Sequence, residues 1–83
     1  MENQKWCRII TLENGNDVLI QKEDENDEDE IIGYKVSVTC DLEGCRATIS
    51  LGFKDESKRD ECFDTYTMEQ ATKVYNSLKE FTD

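Results

Sequence analysis

The stretch IIGYKVSVTCDLEGCRATISLGF, residues 31–53, alternates apolar and polar residues twice. In its first half Ile32, Tyr34, Val36, Val38 and Cys40 fall on one side of an extended chain, and Gly33, Lys35, Ser37 and Thr39 on the other. A period of two belongs to a strand with one buried face, because successive side chains point to opposite faces. DLEG (41–44) interrupts the pattern, and Cys45, Ala47, Ile49, Leu51 and Phe53 then repeat it. We expect two antiparallel strands, 31–40 and 45–53, that share one apolar face.

Toward the N-terminus, WCRIITL (6–12) is rich in strand formers and ends at ENGN, whose Asn14-Gly15 pair suits the positive φ of a hairpin turn. DVLIQK (17–22) is the returning strand. The facing of this pair is open: Trp6, Ile10 and Leu12 oppose Cys7 and Ile9, while Leu19 opposes Val18 and Ile20. The leftover apolar residues would form a patch near one edge of the sheet. Toward the C-terminus, KDESKRDE (54–61) reads as a polar loop and 62–66 as an optional fifth strand. Thr67, with Gln70 three residues later, forms a capping box for a helix over 68–81. Met68, Ala71, Val74, Tyr75, Leu78 and Phe81 fall within one arc of that helix, about 140° wide at 100° per residue. Glu69 and Lys73 form an i,i+4 pair in the favourable order on the opposite side. The expected architecture is α+β: one domain over 1–83, an antiparallel β-meander of four to five strands, and one C-terminal amphipathic helix on one face. Short connections favour such neighbouring strands.

Charge is the other strong signal. The 83 residues carry 20 acids and 10 bases, a net of −10, with no histidine and no proline. Seven of the eight residues 23–30 are acidic, Asn26 being the exception. Removing those seven acids leaves 13 against 10 bases, a net of −3, so the acidity is mostly local. A chain of this sign gains nothing from counterion release on nucleic acid and is repelled by anionic membranes. The first ten residues, MENQKWCRII, lack the apolar core of a secretory signal, and Glu2 stands where myristoylation needs glycine. The longest apolar run is only Val18 to Ile20. A cytoplasmic protein with reduced thiols is the expectation.

Specific chemistries then drop away. A calcium loop begun at Asp24 meets Asp29 where glycine is needed and Lys35 where the bidentate glutamate belongs. Begun at Asp27, it meets Ile31 and Ile32 at a ligand position and at the glycine. Zinc would need Cys7, Cys40, Cys45 and Cys62 together, but a meander puts Cys40 and Cys45 at the end opposite Cys7 and Cys62, roughly 25 Å away. Cys40 and Cys45 are expected as small inward hydrophobes opposed across their hairpin, with a disulfide under oxidation as the alternative. Without histidine or a Gly-rich phosphate loop, we expect no catalysis, no cofactor and no bound metal. Direct single-strand binding lacks its stacking aromatics: the outward residues are Lys35, Ser37, Thr39, Arg46, Thr48 and Ser50.

In a meander, alternate loops lie at the same end. One end should therefore collect Glu23, Asp24, Glu25, Asp27, Glu28, Asp29 and Glu30 with Asp55, Glu56, Asp60 and Glu61, opposed only by Lys54, Lys58 and Arg59. Such an acidic pole is a candidate partner-binding surface for a basic protein, above all one that handles nucleic acid. In size, acidity and lack of a catalytic motif, the chain is similar to phage-encoded DNA-mimic inhibitors, including anti-restriction and anti-CRISPR proteins. That similarity implies a non-catalytic inhibitor that occupies a basic nucleic-acid-binding surface. Those inhibitors spread carboxylates over a face, whereas this chain concentrates them, which favours the filling of a local basic pocket. The alternative is a small structural domain with an inert, solvated acidic loop, self-associating through a sheet edge or face as a homodimer.

Overall fold

The computed structural model describes residues 6–82. In it the two alternating segments become β3 (Glu30–Leu42) and β4 (Cys45–Phe53), antiparallel and in continuous register from Tyr34 opposite Phe53 to Leu42 opposite Cys45. Ahead of them run β1 (Cys7–Thr11) and β2 (Asp17–Asp27), and the sheet order β1-β2-β3-β4 is the expected meander. Gly15 and Gly44, at φ +92° and +87°, make the turns that an L side chain would strain. Asn14 supports the first turn by accepting from the Asn16 N–H at 2.9 Å.

Two helices, not one, cover a single face of the sheet. Of the expected loop 54–61 only Lys54 and Asp55 remain a connection, and 62–66 are not a strand: α1 spans Glu56–Thr65. Its start is dictated locally, since Asp55 is an N-cap whose carboxylate accepts from the Ser57 N–H at 2.9 Å. Arg59, Cys62, Phe63 and Tyr66 recur at helical spacing, and Arg59, Phe63 and Tyr66 are buried. The last turn of α1 has no basic residue of its own. Arg8, from β1, instead donates to the carbonyls of Phe63 and Tyr66, meeting the orphan acceptors of that helix end. The second helix, α2 (Met68–Glu80), has the expected capping box between Thr67 and Gln70.

The core lies between the sheet and these helices: Leu12, Val18, Ile20, Val36, Val38, Cys40 and Leu42 against Phe63, Tyr66, Ala71, Tyr75 and Leu78. Each such aliphatic side chain, fully buried, contributes about 1.5–3 kcal/mol. The β1 ambiguity resolves with Ile10 and Leu12 inward, because Ile10 stands opposite the buried Val18 and Arg8 opposite the buried Ile20. Ile9 and its partner Leu19 face outward, and Ile9 is 65% exposed on the uncovered face. Ile32, Cys45 and Leu51 were expected inward but are exposed. For Ile32 the cause is that the covered sheet ends near Tyr34 and Phe53, while Cys45 and Leu51 sit on a free edge strand. The α2 stripe likewise overhangs the sheet, leaving Met68 and Phe81 exposed.

The cysteines also differ from expectation. Register places Cys40 opposite Ala47 and Cys45 opposite Leu42, so the two thiols do not face each other across the hairpin. Cys62 sits on α1 rather than on a strand near Cys7. Burial raises the Tyr66 hydroxyl pKa, and the neighbouring Cys62 and Cys40 thiols raise it further, so those two share one region of the core. Burial also pushes the Cys40 and Cys62 thiols up, which keeps them protonated and unreactive. All four cysteines are free.

Candidate functional site

The acidic run is not a loop. β2 continues through Asp27 and β3 starts at Glu30, so residues 23–30 form the distal part of a hydrogen-bonded β-hairpin that outruns its neighbours. The reversal is made by Glu28 and Asp29, at φ +48° and +72°. Two central residues at positive φ are the signature of the type I′ turn, whose twist matches that of the flanking strands. Glutamate is a poor choice for this conformation, which costs roughly 1–2 kcal/mol for a residue with a Cβ. A bulge between Glu25 and Asn26 breaks the strict alternation, since Glu25 pairs with Gly33 and Asn26 with Ile31. Ile32 is the extra residue. Ile31 and Ile32 are consequently 53% and 66% exposed beside the carboxylates.

The hairpin is fixed at its base by α1. Arg59 is only 1% exposed, and its guanidinium forks between both acidic stretches. It donates to the Glu23 carbonyl at 2.5 Å, to Asp24 Oδ1 at 3.0 Å and to Asp60 Oδ1 at 2.7 Å, with Glu56 Oε2 at 3.6 Å. The ring centroids of Tyr34 and Trp6 lie 5.0 and 5.5 Å from Arg59 Cζ. A planar, weakly hydrated cation with five donors is suited to such a site, where the three donors of a lysine would leave an acceptor unmet. Lys22 Nζ extends the network, 3.4 Å from Asp60 Oδ1 and over the Trp6 and Phe63 rings at 5.2 and 5.1 Å. Burial opposes ionisation of Asp60, yet the Arg59 hydrogen bond and the Lys22 charge hold its pKa below the usual carboxylate range. Burial likewise works against the Arg59 charge, but the hydrogen bonds to Asp60 and Asp24 raise its pKa on balance.

The eleven candidate acids therefore divide. Asp24, Glu56 and Asp60 converge on Arg59, and Glu23 lies 3.6 Å from Lys35 on the opposite face of the sheet. Asp55 caps α1. Glu25, Asp27, Glu28, Asp29, Glu30 and Glu61 are exposed and make no ion pair among the described residues. The two acidic stretches meet at one end of the sheet, through a buried cation rather than as a continuous acidic surface. Glu25 lies over Gly33, where an added Cβ would sit 3.0 Å from its Oε1.

Sequence reasoning missed the anchor and the two isoleucines. Arg59 looked like one loop cation among three. Its signal was the lack of Gly, Pro or Asn in 54–61, together with the spacing of Arg59, Phe63 and Tyr66. The signal for the isoleucines was that Ile31 and Ile32 are adjacent, so one of them must leave the apolar face. Among the described residues no group of three or more His, Cys, Asp or Glu side chains is arranged to hold a metal ion. No described helix is long and apolar enough to cross a membrane. The expectations about targeting signals rest on residues 1–10, of which 1–5 lie outside the described part. No protein-family model, curated protein or solved structure matches the chain.

Proposed function

We propose that the protein is a non-catalytic binding module whose β2–β3 hairpin enters a basic pocket on a nucleic-acid-handling protein and inhibits it by occupying the place of phosphates. The observation that carries this reading is the composition of the turn. Asp27, Glu28, Asp29 and Glu30 put four like charges and two left-handed residues where Asn-Gly would be more stable. Neither the charge nor the strain helps the chain to fold, and strained residues concentrate at functional sites. The exposed Ile31 and Ile32 give further support, since an inert solubilising turn has no need of an apolar contact beside its carboxylates.

The geometry of the arm supports this reading. Alternate residues along a strand stand about 6.8 Å apart, so the arm carries a spaced row of carboxylates on a rigid backbone. Fixing them in advance lowers the entropy lost on binding compared with a disordered acidic tail. Long-range attraction to a basic cleft speeds encounter, and the isoleucines add an apolar contact that salt does not screen.

The test is capture of a partner from lysate at low and high salt by the protein and by a variant carrying Asp27→Asn, Glu28→Gln, Asp29→Asn and Glu30→Gln. A nucleic-acid-binding partner retained by the parent protein and lost by the variant is the expected result. Equal capture by both would end the proposal.

A further inference from the structure

At the other side of the sheet from β1, β4 is an edge strand of nine residues, and among the described residues nothing pairs with its outer side. Exposed edges normally carry charges, prolines or bulges that deter pairing. This one has none of those devices from Ala47 to Phe53: ATISLGF is the longest uncharged run in a chain of net charge −10. Gly52 adds an independent sign. A Cβ built there meets nothing within 4 Å and its φ is not positive, so the fold of one copy does not call for glycine. A glycine inside a strand marks a bulge, a tight bend or the close approach of a ligand or another backbone, and the register of β4 with β3 has no bulge at Gly52. Beside the strand, Ile49, Val74, Leu78 and Phe81 line an open groove of about 220 Å³, and Phe81 is 84% exposed.

We infer that β4 pairs antiparallel with β4 of a second copy, about a two-fold axis near Ser50, to make a continuous eight-stranded sheet. The occupant is indicated by how the strand matches itself. Centring the axis on Ser50 pairs all seven uncharged residues with one another. On the helix-covered face Ile49 then meets Leu51, and Ala47 meets Phe53. On the open face Ser50 meets Ser50, and Thr48 meets Gly52. Sequence parity requires this sorting, because residues whose numbers sum to 100 are both odd or both even. At the ends Arg46 approaches Lys54, but Arg46 is already bound to Asp41 at 2.8 Å. The same two-fold puts both helix layers on one side, bringing the two Phe81 side chains toward the seam. It also sends the two acidic hairpins to opposite ends, roughly 50 Å apart along the strand direction at 3.4 Å per residue. That is several Debye lengths at physiological salt, so the carboxylates do not oppose the pairing.

Sedimentation equilibrium and amide exchange test the inference together, over concentrations on the order of 1 to 100 μM. The expected result is a mass that rises from 9.7 kDa to twice that value, with slow exchange at alternate amides of β4. Ser50→Lys places two ammonium groups at the axis, and Phe81→Ser removes apolar contact from an exposed helix end. Each should weaken association about tenfold or more with the circular dichroism of the single copy unchanged. Ile9→Lys, on the uncovered face, should leave association intact. A 9.7 kDa species throughout, a dimer unaffected by Ser50→Lys, or a dimer lost only in Ile9→Lys would each overturn the assignment.

Discussion

Arg59 concentrates most of the chemistry that one residue contributes to this fold. Its side chain is buried, yet four acceptors from two distant parts of the chain surround it. Arg59→Met should destabilise the protein by about 3 kcal/mol at pH 7, because the partly buried Asp24 and Asp60 would lose their counter-charge. Part of that loss depends on pH. The folded pKa of Asp60 is depressed, so its contribution is complete above the ordinary aspartate value of about 3.9 and disappears as pH falls through the lower folded value. The gap between parent and Arg59→Met should therefore narrow in acid, as measured by urea unfolding at pH 7 and near pH 2.5. A gap independent of pH would mean that packing against Trp6 and Tyr34, not the ion pairs, is what Arg59 supplies.

At the level of elements, the β2–β3 hairpin illustrates how a polar run can be ordered. Its backbone is satisfied by the partner strand, so seven acids in eight residues need no apolar face beyond the base. The type I′ turn is where the hairpin is least well served by its residues. Asp29→Gly should stabilise the protein by roughly 0.5–1 kcal/mol, since glycine accepts φ +72° without a Cβ clash and one carboxylate leaves the cluster. Thermal unfolding reads this directly, and a loss of stability would argue against the type I′ turn. Much of the element pattern was legible beforehand. The alternation of 31–53, the Asn-Gly turn and the Thr67–Gln70 box each follow from local rules. α1 was not, because its inward stripe includes an arginine, and a stripe with a charge in it looks polar to any periodicity argument.

For the whole molecule, charge is distributed against stability. Five acids at the hairpin tip have no ion pair among the described residues, and the chain's net charge is −10. Raising ionic strength from about 0.01 to about 0.15 M should stabilise the fold by on the order of 1 kcal/mol, or about 4–8 °C in a domain of this size, as the Debye length shrinks from 30 to 8 Å. The quadruple tip variant should lose most of that salt dependence in a melting series. If both respond equally, the repulsion lies elsewhere in the molecule.

Strand order, the α2 cap and the location of the charge are local properties, readable because alternation, capping residues and a turn pair act within a few positions of one another. The acidic end was also foreseeable from the meander, since alternate connections must return to the same side. What needed the folded chain was the state of that end. Arg59 binds the Asp24 carboxylate and the Glu23 carbonyl, 35 and 36 positions earlier in the chain, and that meeting converts a predicted loop into an anchored arm. The exposure of Ile31 and Ile32 and the freedom of the β4 edge depend on where the helices stop covering the sheet. Coverage is a relation between distant segments, so no window of sequence contains it.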